Sequence, residues 1–199
     1  MAALIHLNGP PGIGKSTIAR LYVDQHPGVL NCDVDVLRTL IGGWADDFEA
    51  AGALIRPAAL AMIEAYLASG HDVVFPQLLV NPTELARFEA CATRAGARFV
   101  ERYLMADVDQ AVARFDRRGT TGASDQWHDQ VQAIVASSGG EQALVRYHAA
   151  LLQLLEQRPE AMVIESAEGQ TDATYRQLLH SLPGEPAAST RSSGGRMTT

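Results

Sequence analysis

Gly9-Pro10-Pro11-Gly12-Ile13-Gly14-Lys15-Ser16 reads G-x-x-x-x-G-K-S without a gap. Each part of that stretch has a physical role if the ligand is a polyphosphate. Glycines let the backbone curl until successive N–H groups point at one anion. A helix starting at Lys15 adds the positive end of its dipole. Lys15 reaches the β- and γ-phosphates as a point charge, and the Ser16 hydroxyl offers one ligand to Mg²⁺. The backbone from Gly9 through Gly12, Ile13, Gly14, Lys15, Ser16 and Thr17 is therefore the expected cradle for ATP with Mg²⁺. A dinucleotide-binding loop would need G-x-G-x-x-G, and position 17 is Thr.

The flanks supply the context that this loop needs. Residues 2–7 are an apolar run long enough for a buried strand. Ile18, Leu21, Tyr22 and Gln25 follow helical spacing, and Pro27-Gly28 ends that helix. Residues 29–33 read as a second strand, and Val36, Leu37, Leu40 and Ile41 as a short helical face. Asp46 or Asp47 caps the next helix, which Pro57 is expected to divide. Residues 72–80 give a third strand that Pro76 stops near Phe75. Asn81-Pro82-Thr83-Glu84 is a helix start with cap, proline and glutamate in place.

Residues 99–105 form a fourth strand, and Asp107 caps a helix running to about Arg118. Gly119-Thr120-Thr121-Gly122 is a flexible break, followed by helices near 125–136 and 141–156. Residues 161–165 form a fifth strand, and Thr171 or Asp172 caps the last helix. Strands that alternate with helices predict an α/β fold: a parallel sheet covered on both faces. Residues 1–182 make one domain, and 183–199, rich in Ser, Gly, Thr and Pro, read as a disordered tail.

Bulk properties narrow the function classes. Hydrophobic residues make up 47% of the 199 and charged residues 20%, an ordinary globular balance. A net charge of −7 argues against a nucleic-acid partner. The first seven residues lack the basic start of a signal peptide. No stretch reads as the roughly 20 apolar residues that span a bilayer, so no membrane partner is expected. Cys32 and Cys91 show no metal-ligand spacing and read as buried thiols in a reducing cytoplasm.

Two further clusters carry chemistry. Asp33 and Asp35 fall where the second strand ends, at the sheet edge that ligands approach. One carboxylate of the pair can hold Mg²⁺ through water, and the other can accept the proton of a substrate hydroxyl. Arg38, three residues on, either grips the substrate or pairs with Asp35. The plainer alternative is that Asp35 only caps a helix beginning at Val36 and Asp33 is a solvated turn residue. Arg114, Arg117 and Arg118 precede the flexible break, with Arg114 and Arg118 one turn apart. Such a pair suits a closing lid, at about residues 116–130, that brings positive charge onto a transferring phosphoryl group. The alternative is a basic helix end meeting its own dipole.

With these pieces placed, residues 2–182 resemble the small P-loop kinases, which include adenylate, shikimate and gluconate kinases, chloramphenicol phosphotransferase and the tunicamycin-resistance proteins. Asp33-Val34-Asp35 resembles the D-x-D of shikimate kinases, whose first Asp helps order Mg²⁺ and whose second contacts the reacting hydroxyl. Phe75-Pro76-Gln77 resembles the F-P-R of adenylate kinases, a substrate-side position, and the run on to Asn81-Pro82 is most similar to the tunicamycin-resistance group. The resemblance implies a three-layer P-loop fold with strand order 2-3-1-4-5 and the loop 166–169 against the adenine.

It also implies Arg114 with Arg117 or Arg118 as lid arginines. Val73-Val74-Phe75 departs from relatives that carry an Asp on the third strand, so metal would rest on Ser16 and Asp33. Gln77 in place of arginine argues against a nucleoside monophosphate acceptor.

The expectation is a kinase that moves the γ-phosphoryl group of ATP to an alcohol group of a small molecule: an antibiotic, a nucleoside-like or a sugar-like compound. Lys15, Asp35, Arg114 and Arg118 would be catalytic. Asp35, Arg38, Arg56 and Gln77 would face the acceptor, with residues 44–55 and a lid near Trp127 shaping its pocket. A nucleotide-dependent ATPase or switch acting on a protein partner is the alternative. Either would be a soluble cytoplasmic protein, monomeric or homodimeric.

Overall fold

The computed structural model describes residues 1–118, 135–136 and 139–183; the side chains of Arg114 and of residues 116–118 also fall outside the described set. Strand β1 (Ala3–Asn8) is buried along its whole length, as a strand covered on both faces must be. Helix α1 (Lys15–Gln25) follows the glycine loop and returns the chain to β2 (Leu30–Asn31). Helices α2 (Val34–Arg38) and α3 (Phe48–Ala68) lead to β3 (Val73–Pro76). Helix α4 (Pro82–Arg94) crosses to β4 (Arg98–Met105). Helices α5 (Val108–Arg118) and α6 (Glu141–Glu156), then β5 (Met162–Glu165) and α7 (Thr171–Ser181), complete the order.

All four strand pairings are parallel, and the sheet order is β2-β3-β1-β4-β5. This is the expected P-loop arrangement. Period-two alternation splits the core in two. Leu4, Phe75 and Tyr103 face α3, α4 and α6 and meet Ile63, Phe88 and Leu151. Ile5, Leu7, Val74 and Leu104 face α1 and α7 and meet Ile18, Tyr175 and Leu178. A smaller cluster joins Val112 and Phe115 of α5 to Leu144 of α6. From β1 the chain crosses to β2 and β3 on one side, and from β3 it crosses back to β4 on the other, so the crevice beyond Asn8 is the point where the sheet reverses order.

Several local expectations hold. Asp47 caps α3 by accepting from the Ala50 N–H, and Asn81 caps α4 by accepting from the Thr83 and Glu84 N–H groups. The Asp107 carboxylate accepts from the Asp109 N–H at the start of α5. Cys32 and Cys91 are free and buried.

Others are corrected. Helix α2 begins at Val34, and its cap is Asp33, whose Oδ1 accepts from the Asp35 N–H at 3.1 Å. Asp35 is therefore inside the first turn and its side chain is not spent on capping. Pro57 does not divide the helix: α3 runs unbroken for 21 residues. The missing Pro57 N–H costs one ladder bond, and packing of Ile55, Ala59, Ile63 and Leu67 outweighs it. That continuity makes α3 long and apolar enough to cross a membrane by length and composition. Its buried stripe nonetheless packs on the sheet as a core helix. At α7 the cap position is Gln170, with no side-chain cap bond, and Thr171 is already helical. The expected 125–136 helix, the lid, Trp127 and the tail beyond residue 183 lie outside the described residues.

Candidate active site

The glycine loop closes on itself beyond β1. Gly9, Gly12 and Gly14 all have positive φ, a conformation that side-chain-bearing residues rarely adopt. At Gly9 a Cβ would also stand 2.3 Å from the Leu104 carbonyl oxygen, so β4 backbone leaves no room for one. The Lys15 ammonium arches over the loop and donates to the Gly9 and Pro10 carbonyls at 2.8 and 2.9 Å. Ser16 and Thr17 are exposed at the start of α1, with the helix dipole behind them. Gly12 abuts Phe115, so α5, which carries Arg114, Arg117 and Arg118 along its backbone, runs beside the loop. The positions of those three arginine side chains lie outside the described residues.

Asn8 anchors the loop at its root. It is wholly buried, and its amide makes three hydrogen bonds. Nδ2 donates to the Leu79 carbonyl at 2.8 Å, while Oδ1 accepts from the Gly9 and Leu79 N–H groups at 2.9 and 3.0 Å. One side chain thus ties the phosphate loop to the segment after β3. That role was not read from the sequence, although a polar residue ending an apolar run must find partners when buried.

The acidic pair sits across from Lys15. Asp33 is 5% exposed, and Asp35 keeps 29% of its side chain accessible. Burial and the neighbouring Asp33 push Asp35 up to about 6, against the pull of Arg38, Lys15 and the Gln77 amide. A carboxylate held there is ionised at neutral pH yet close enough to it to accept a proton. Gln77 continues the β1–β3 ladder, its N–H donating to the Leu7 carbonyl at 3.2 Å. Its side-chain Oε1 is buried without a hydrogen-bond partner among the described residues.

Arg38 is not a surface group. It is 3% exposed, stacks 3.6 Å from the Phe48 ring centroid, and reaches Asp35 at 3.8 Å. Gly52, inside α3, makes the room: a Cβ there would lie 2.9 Å from Arg38 Nη2. Of the two sequence alternatives for Arg38, this geometry favours pairing with Asp35. Arg56 is half-buried and near enough to Arg38 for their charges to oppose each other.

After β5, Ser166 is buried and donates its hydroxyl to the Ile13 carbonyl at 2.9 Å. Beyond it lies a shallow depression of about 290 Å³, lined by Gly169, Gln170, Thr171, Asp172, Ala173 and Arg176. A larger cleft of about 590 Å³ opens at the opposite end of β4, around Phe99, Glu101 and Arg158. None of the loop residues lines it, so size does not mark the site here.

No group of three or more metal-ligating side chains occurs among the described residues. Mg²⁺ bound with a polyphosphate takes most of its ligands from phosphate oxygens and water and needs few from the protein. Ser16 and Asp33 offer one hydroxyl and one carboxylate, a donor set that fits.

A protein-family comparison matches residues 4–139 to the AAA domain family. Solved structures share the fold over most of the chain. A candidate kinase from Chloroflexus aurantiacus is 15% identical with a TM-score of 0.64, over 93% of this chain and 98% of its own. The tunicamycin resistance protein of Deinococcus radiodurans is 19% identical with a TM-score of 0.56, over 90% and 95%. A gluconokinase from Sinorhizobium meliloti is 16% identical with a TM-score of 0.55, over 90% of each chain. A search of curated proteins found no significant match. On the glycine loop, the sheet order and the 136 contiguous residues that match, the chain belongs to the AAA domain family and has the fold of the small P-loop kinases.

Proposed function

We propose that the protein is a small-molecule kinase that transfers the γ-phosphoryl group of ATP to an alcohol group, with Asp35 as the base. The observation that carries this reading is the convergence of Lys15, Asp33, Asp35 and Gln77 at the crevice beyond β1, with Arg38 buried behind Asp35. The loop and Lys15 hold the β- and γ-phosphates, and Ser16 and Asp33 would hold Mg²⁺, which when bound would offset the phosphate charge. Asp35 takes the proton of the acceptor hydroxyl as its oxygen bonds to the γ-phosphorus, and the bond to the β-phosphate oxygen breaks to leave ADP. Arg38 holds the Asp35 carboxylate in place, and Arg56 and Gln77 face the acceptor. On this reading Arg114, with Arg118 or Arg117, would supply positive charge to the transferring group from α5.

Acceptors of the antibiotic, nucleoside-like or sugar-like kind suit a site whose Gln77 carries no charge for a second phosphate. The names of the tunicamycin resistance protein and the gluconokinase point the same way. A reducing cytoplasm suits the two free thiols.

The test is a screen of purified protein with ATP·Mg²⁺ against hydroxylated metabolites and antibiotics, read by mass. Transfer should fall about a hundredfold or more in Asp35→Asn while ATP still binds. Water-only hydrolysis that a protein partner stimulates would instead support the ATPase alternative and sink the kinase.

A further inference from the structure

Ser166 lies where β5 ends, and among the described residues two bonds tie it to β4 and to the glycine loop. Its N–H donates to the Met105 carbonyl at 2.8 Å, which ties its backbone to β4. Its hydroxyl donates to the Ile13 carbonyl at 2.9 Å. Ser166 is 3% exposed and Ile13 1%, so bulk water does not compete for this bond. Ile13 stands between Gly12 and Gly14, both at positive φ. The 13–14 peptide turns about ψ of Ile13 and φ of Gly14, and the glycine at 14 leaves the second of these torsions less restricted than a side-chain-bearing residue would. In a trans peptide the carbonyl and the next N–H point in opposite directions. Holding the Ile13 carbonyl toward Ser166 therefore sets the Gly14 N–H facing away from Ser166.

We propose that Ser166 is a positioning residue of the phosphate loop, which holds the Ile13 carbonyl so that the Gly14 N–H is aimed at the polyphosphate. This rests on the reading of the loop as a nucleotide site. Ser166 touches no phosphate itself. It acts through one peptide plane, and it couples the turn after β5 to the loop after β1, 153 residues away in the chain.

The experiment titrates wild-type, Ser166→Ala and Ser166→Thr protein with ATP·Mg²⁺ and with inorganic tripolyphosphate·Mg²⁺, by calorimetry. Tripolyphosphate has no base, so it reads the phosphate loop alone. Ser166→Ala should weaken both probes about five- to tenfold, the worth of one buried hydrogen bond, and Ser166→Thr should recover most of that loss. Unchanged affinity for tripolyphosphate in Ser166→Ala overturns the proposal, whether or not ATP binding falls.

The Gly14 amide resonance provides a second readout in the protein without ligand. It should shift in Ser166→Ala while the Val100 amide stays in place, and an unmoved Gly14 amide also overturns the proposal. Wild-type protein that binds neither probe refutes the nucleotide reading itself. A Gly14 shift in that case would leave the bond's hold on the loop standing and remove its role toward an anion.

Discussion

Asn8 and Leu79, 71 residues apart, exchange two hydrogen bonds, and the same Asn8 Oδ1 accepts from the Gly9 N–H. The first residue of the phosphate loop and the first turn after β3 are therefore held by one buried amide. Replacing it by Asn8→Ala strands two N–H groups and one carbonyl. A loss of about 3 kcal/mol in unfolding free energy is expected, roughly 1 per bond. ATP affinity should fall as well, because Gly9 opens the loop. Urea unfolding and calorimetry check the two effects, and a variant as stable as wild type would remove Asn8 from this role.

Arg158 closes a second, partly buried network around Glu101, away from the loop end of β4. Its guanidinium bonds Glu101 at 2.5 and 2.6 Å and Glu89 at 2.9 Å, and Tyr103 donates to Glu101 at 3.2 Å. Glu101 is 5% exposed, so its charge depends on Arg158. Arg158→Met should cost about 3 kcal/mol, because removing one partner leaves a buried charge uncompensated. Adding Glu101→Gln should restore part of the loss, since the double change removes the stranded charge. A double variant whose loss equals the sum of the losses in Arg158→Met and in Glu101→Gln would show that the pair is not coupled.

His6 makes the fold sensitive to acid. It is fully buried, and its Nε2 lies 2.9 Å from the Gln77 carbonyl, so Nε2 carries the proton and donates. Burial lowers its pKa from 6.5 to about 4. The unfolded chain takes up a proton below about 6.5, where folded His6 refuses it. Stability from this group is complete above that pH and drains away as pH falls toward 4. The loss tends toward about 3 kcal/mol at the low end. Unfolding measured at pH 7.5 and pH 5 should show the drop in wild type and a smaller one in His6→Gln. Parallel slopes would place the sensitivity elsewhere.

Much of this was legible because local chemistry and the global fold agree. The glycine loop between an apolar run and a helical stripe specifies the fold almost alone, and Asn81-Pro82-Thr83-Glu84 marks its helix to the residue. Pro57 reads as a break only while tertiary packing is ignored. The stripe from Ile55 to Leu67 carries the helix through it. Of the two readings of Asp35, the capping one fails for a local reason, because the turn at Asp33 takes the cap. Asn8, Gly52 and Ser166 were invisible for a different reason. Each acts on a partner distant in sequence, and no spacing rule links Gly52 to Arg38 or Ser166 to Ile13.

Binding of ATP·Mg²⁺ to wild-type and Lys15→Ala protein, compared by calorimetry, tests the central claim that residues 9–16 hold a polyphosphate. The expected result is saturable one-site binding to wild type, weakened about tenfold or more when the ammonium beside Gly9 and Pro10 is removed. Equal affinity in the two proteins, or no binding to either, would contradict it.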